Sequence, residues 1–224
     1  MEARATPLPS RRHGTWHAVA AVVAAATAVG VSAGFAAHVL LARQSPRPAA
    51  LRLPELHGQA TWPAETRPAP LFTLRNAVDG STTSLASAHG RVTLIAFLDS
   101  RCKTLCPVIG RQLGDVQRSL PPAARPRVLI VSVDPAGDTA ASVRTAMRHW
   151  HAAPGWQWLS GTRQQLARVW SAYGIQVQPT MGDIVHGAAV YLVDPRGYER
   201  AGYLAPLLPN FVALDIRRVQ ADAA

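Results

Sequence analysis

Two cysteines stand four positions apart in Cys102-Lys103-Thr104-Leu105-Cys106, and Pro107 follows at once; the 224 residues contain no others. Thiols so spaced can close a disulfide or, as thiolates, hold one soft metal ion. Two sulfurs alone do not specify a metal. Copper(I) accepts three ligands where structural zinc takes four, so a metal site here would need at least a third donor.

Histidine is the natural candidate. Of the eight, His13, His17, His38 and His57 fall in an amino-terminal tail, an apolar run or a Pro-rich stretch. His89 sits beside Gly90 in a turn. His149 and His151 flank Trp150 at a helix end, where a cation complements the helix dipole. His186 differs, because the loop Met181-Gly182-Asp183-Ile184-Val185-His186-Gly187 is bordered by glycine and precedes an apolar strand. Read alone, it is either a loop histidine without chemical duty or the third donor. Met181 offers a thioether, although a loop methionine usually serves as an apolar contact. Asp134, ending Val131-Ser132-Val133-Asp134-Pro135, is either a turn cap or a carboxylate acting near the site.

These residues need a scaffold. Val92 to Leu98 is an apolar run that reads as a buried strand, and Val108 to Leu120 reads as a helix stopped by Pro121-Pro122. Pro107 fits the first helical turn, which puts Cys106 at or near the N-cap, facing unpaired N–H groups that lower a thiol pKa. Arg101 and Lys103 are expected to push the other thiol the same way. A short strand at Leu71–Leu74 and a partner at Thr82–Leu85 flank the Asp79-Gly80 turn signal. Arg127 to Val133 is a second buried strand, and Thr139 caps a helix to Trp150. Trp156–Leu159 is a short strand. Thr162 and Gln165 form a capping-box pattern opening a helix that Gly174 closes. Strands at Ala188–Val193 and Tyr198–Ala201 and a helix at Leu207–Val219 complete the chain. The order predicts an α/β fold, a central mixed sheet with helices on both faces. The thiol pair then lies at a strand's carboxyl end, where such folds place their sites.

Composition narrows the partners. Lys plus Arg is 23 against 13 Asp plus Glu, for a net charge of +10. No basic stripe interleaved with aromatics and no nucleic-acid motif accompanies that excess, so no nucleic-acid partner is expected. Residues 1–17 form a polar tail. Ala18 to Ala42 holds no Asp, Glu, Lys or Arg; as a helix it would run roughly 37 Å, enough for a hydrocarbon core of about 30 Å. It is read as a transmembrane signal anchor, ahead of a cleaved signal peptide with small residues at Ala33, Ala36 and Ala37, or a buried helix. Arginines on both sides leave the positive-inside rule nearly silent. A single-pass protein of the cell membrane is expected, its folded domain on the extracytoplasmic, periplasmic side. Residues 43–69 read as a Pro-rich linker and 70–224 as the domain.

From about residue 71 to 206 the chain resembles the Sco/SenC family of copper proteins. The likeness is carried in order by Phe72-Thr73-Leu74, Phe97 with Cys102-x3-Cys106-Pro107, Val133-Asp134-Pro135 with Asp138-Thr139, Leu159-Ser160-Gly161-Thr162, Tyr173-Gly174, and His186 followed by Tyr191-Leu192-Val193-Asp194-Pro195-x-Gly197. It implies a thioredoxin-like fold tethered by one amino-terminal transmembrane helix. It further implies one copper ion, Cu(I) or Cu(II), held by Cys102, Cys106 and His186, with Asp134 close by. The implied partner is the copper-bearing subunit of cytochrome c oxidase or another copper protein. Departures are Leu98-Asp99-Ser100 before the first cysteine, Lys103 after it, and Val185 and Gly187 around the histidine. The alternative is a thiol–disulfide oxidoreductase that uses Cys102 and Cys106 without copper.

Overall fold

A computed structural model of the chain describes residues 56–180 and 184–223. The expected tail and anchor, 1–42, lie outside the described residues, as do 43–55 of the expected linker and Met181. Among the described residues no helix is long and apolar enough to cross a membrane.

Among the described residues, ten strands and four α-helices alternate. The strands are β1 (Ala60–Thr61), β2 (Thr73–Asn76), β3 (Thr82–Ser84), β4 (Thr93–Leu98), β5 (Arg127–Ser132), β6 (Gln157–Ser160), β7 (Val177–Pro179), β8 (Ile184–His186), β9 (Ala189–Val193) and β10 (Glu199–Leu204). The helices are α1 (Leu105–Arg118), α2 (Ala140–His149), α3 (Arg163–Ala172) and α4 (Pro209–Asp222). Eight strands form one sheet in the order β1-β10-β9-β4-β5-β6-β2-β3, while β7 and β8 pair separately. The centre, β4-β5-β6, is parallel, and β9 runs antiparallel to β4. This is the expected central mixed sheet flanked by helices.

The core follows from alternation along β4, which is buried at every position. Leu94, Ala96 and Leu98 face one side with Ile109, Leu113 and Val116 of α1, Val143 of α2 and Ile216 of α4. Ile95 and Phe97 face the other with Leu166, Val169 and Trp170 of α3. A strand covered on both faces must read as a continuous apolar run.

The linker reading is corrected for residues 56–69. Leu56 and Ala69 are buried. Thr61 pairs with Ala201, so β1 extends the sheet beyond β10. The prolines suggested an unpacked stretch, but proline is compatible with an edge, where one row of N–H groups needs no partner.

Parallel pairing decides where the loops gather. The carboxyl ends of β4 and β5 share one end of the sheet, and antiparallel β9 and β10 bring their amino and carboxyl ends there respectively. The Cys102 loop, the Asp134 loop, His186 and Leu204 therefore meet at that end.

Candidate metal centre

Helix α1 begins earlier than the sequence predicts, at Leu105 with Thr104 as N-cap. Cys106 is thus the second residue of the helix, Pro107 the third. Cys106 is fully buried. Burial pushes its thiol pKa well up, although the Asp99 backbone N–H bonds to it; the neighbouring Cys102 adds to the rise. This corrects the expectation of a lowered pKa at Cys106: desolvation outweighs the helix end.

The lowered thiol is Cys102, which is half-buried. Burial opposes ionisation there, but bonds from the Thr104 hydroxyl, from the Cys106 and Thr104 backbone N–H groups and from the Cys106 thiol outweigh it. Thr104 Oγ1 stands 3.5 Å from Cys102 Sγ. The flanking cations do not do this work. The Arg101 guanidinium turns away to pair with Asp134. Both cysteines are free thiols.

His186 ends β8, half-buried, and its Nε2 lies 3.6 Å from Cys106 Sγ across a separation of 80 positions. Its Nδ1 is 3.0 Å from the Gly187 carbonyl. A carbonyl only accepts, so the proton sits on Nδ1 and the Nε2 lone pair faces the thiol. An orienting partner for the ring therefore comes from the next residue's backbone. Among the described residues no three His, Cys, Asp or Glu side chains form a ready-made metal cage. The contacts run in sequence instead, Cys102 to Cys106 to His186, with Cys102 also turned to Thr104.

Asp134 enters through Arg101. The pair lines an open cleft of about 460 Å³ with Asp99, Lys103, Thr180 and Ile184. The Asp134 carbonyl accepts from the Gly137 and Asp138 N–H groups, so the residue also caps the turn. A Cβ at Gly137 would lie 2.0 Å from Asp134 Oδ2 and 2.2 Å from Arg101 Nε, so any larger residue there would displace the ion pair. The loop bearing Cys102 is anchored further by Ser100, whose N–H donates to Asp138 Oδ1 at 2.8 Å and whose hydroxyl meets that of Ser142 at 2.9 Å.

The chain is similar to the SCO1 protein homolog of Bacillus subtilis (strain 168), 30% identical over 132 residues that span 56% of this chain and 68% of the relative. Copper-bound ScoI of Bradyrhizobium japonicum matches with TM-score 0.55 and 27% identity, over 67% of this chain and 98% of that one. BsSco, a Sco family member of the cytochrome c oxidase assembly proteins with a disulfide switch, matches with TM-score 0.60 and 23% identity, over 72% and 98%. The shared fold is thioredoxin-like. A family model described as SCO1/SenC covers residues 63–219, and with more than half of its length so matched, the chain belongs to the SCO1/SenC family.

Proposed function

We propose that this protein is a membrane-anchored copper carrier that takes one copper ion on Cys102, Cys106 and His186 and hands it on. The observation that carries the reading is the approach of His186 Nε2 to Cys106 Sγ, with the imidazole lone pair directed at the thiol. Two soft sulfurs and one imidazole suit copper better than zinc, which would want a fourth ligand. Copper bound to the B. japonicum relative supports the cargo. The role of BsSco's family in cytochrome c oxidase assembly supports that enzyme's copper-bearing subunit, with its dinuclear copper site, as recipient; another copper protein is the variant of this reading. The apolar run Ala18–Ala42 supports a single span with the domain on the extracytoplasmic side.

The partly exposed Cys102 and His186 are the donors a recipient can replace first, while buried Cys106 holds on longest. Copper(I) titration of the reduced full chain against a competing chelator, without oxygen, tests the ligand set. One copper per chain is expected, with Cys102→Ser, Cys106→Ser and His186→Ala each weakening binding at least tenfold. A His186→Ala chain that binds as tightly, with an unchanged spectrum, overturns the three-ligand reading.

The asymmetry of the thiols favours a second reading, thiol–disulfide exchange. Cys102, with its lowered pKa, would attack a target disulfide, forming a mixed disulfide and releasing one target thiol. Cys106, once deprotonated, would then attack Cys102 Sγ and displace the second target thiol, leaving a Cys102–Cys106 disulfide and a reduced target. That chemistry needs no imidazole, so His186→Ala would leave exchange rates intact while copper binding fell.

A further inference from the structure

The end of β10, the loop after it and the first turns of α4 expose four large apolar side chains within eleven residues. Leu204, Leu208, Phe211 and Leu214 are 57%, 60%, 43% and 49% exposed. The opposite side of α4 is already buried through Val212, Ala213, Ile216 and Val219. The helix is therefore apolar on both sides in its first half, which a surface helix in water does not require. Arg217 and Arg218, both exposed, follow Leu214 by three and four positions and so continue its face. The acid exposed on this helix, Asp222, is paired with Arg200.

The chain enters the fold against this patch. The His57 ring stacks on Phe211 at a centroid distance of 4.5 Å. Its Nδ1 and backbone N–H bind the two oxygens of buried Asp215 at 2.6 and 2.8 Å. Gln59 Oε1 accepts from the Leu204 N–H at 3.0 Å. Upstream, the uncharged run 18–42 is separated from Leu56 by residues 43–55, which include Arg43, Arg47 and Arg52. Fully extended, that stretch reaches at most about 50 Å.

We propose that Leu204, Leu208, Phe211 and Leu214, with Arg217 and Arg218, seat on the surface of a bilayer containing anionic lipid. The proposal rests on the reading of 18–42 as a membrane span and is independent of the copper reading. Apolar side chains bordered by arginine, with the acid neutralised, are what an interfacial surface presents. The chain's point of entry, with His57 on Phe211, lies at this patch itself, which favours the bilayer over a protein partner. The consequence concerns the site: the Leu207 N–H donates to Gln112 of α1 at 2.8 Å, so α4 starts against the middle of the helix that carries Cys106. Seating α4 would hold α1, which carries Cys106, close to the membrane and favour recipients that present their own site there.

The full chain in nanodiscs containing phosphatidylglycerol tests this, with p-benzoylphenylalanine placed at Leu208 or Leu214. The control position is Leu71, 69% exposed, at the opposite side of the sheet beside β2. Photolysis is expected to give lipid adducts at 208 and 214 at least fivefold above 71. Combining Arg217→Gln with Arg218→Gln, or using zwitterionic lipid alone, is expected to reduce them. Equal lipid labelling at all three positions overturns the proposal, as do adducts at 208 and 214 formed only with a second copy or an added protein. A chain that fails to float with lipid overturns the span reading and this one together. Loss of copper binding with lipid adducts intact overturns the copper reading alone.

Discussion

Asp138 is 5% exposed, and its carboxylate accepts from the Ser100 N–H at 2.8 Å and from Trp158 Nε1 at 2.9 Å. It therefore fixes the backbone two residues before Cys102. Burial raises its pKa, against the bonds from Ser100 and Trp158 that favour the charged form. A carboxyl whose folded pKa lies above its unfolded value contributes stability that is complete below about pH 4 and lost as pH rises through the folded pKa. Urea denaturation across pH 4–8 should show that decline in the parent and a flatter profile in Asp138→Asn. An unchanged slope would assign the decline to Glu199, whose pKa burial also raises. Asp138→Ala leaves two buried N–H groups without an acceptor and should cost about 2–5 kcal/mol at neutral pH. At this scale the sequence was partly readable. Cys102 and Cys106 stood out by rarity, and His186 by its glycine-bordered loop. Thr104 beside Cys102, the Gly187 carbonyl behind His186 and the turn of Arg101 to Asp134 did not, since each depends on side-chain rotation rather than on spacing.

Helix α1 carries the buried thiol, and its seat on the sheet depends on Gly110. A Cβ at that position would stand 2.4 Å from the Trp150 ring, which packs just beyond the end of α2. Two effects oppose each other in Gly110→Ala. Helix propensity favours alanine by up to about 1 kcal/mol. Overpacking costs about 1–3 kcal/mol, because Trp150 is itself buried and cannot swing aside. Overpacking should win, so the urea midpoint falls, and copper affinity falls with it if α1 tilts. A midpoint at or above the parent's would show that the ring yields freely. Elements such as β4, β5 and the capped α3 were legible because their pattern is strong: unbroken apolar runs, or Thr162 and Gln165 in a reciprocal cap. Strands β1, β7 and β8 were not. They are two or three residues long and largely exposed, with no alternation to read. Yet β8 ends in His186, so the element that delivers the third donor is the one that periodicity cannot find.

For the whole molecule, the decisive question is where the folded unit begins. Composition put the boundary at residue 70, since prolines dominate the stretch before it. The structure carries the packed unit upstream through residues whose partners are distant in sequence and therefore invisible to local pattern. The Trp62 N–H donates to the Arg200 carbonyl at 3.0 Å, and Arg67 pairs with the wholly buried Glu199 while lying over the Trp62 ring. His57 meets Asp215, which also accepts from the Tyr203 hydroxyl at 2.8 Å. A chain cut to begin at residue 70 would lose Leu56, Ala69 and β1 and strip buried Glu199 of its arginine and buried Asp215 of its bonds to His57. Breaking one buried pair costs about 3–5 kcal/mol, and newly admitted water offsets part of that. The shortened chain should therefore be at least about 3 kcal/mol less stable than one beginning at Pro54, measured by urea unfolding at neutral pH. Because Glu199 would be left negative and buried without Arg67, the deficit should shrink as pH is lowered towards 4. Equal midpoints for the two chains would mean that residues 54–69 are a linker after all, and that the sheet ends at β10.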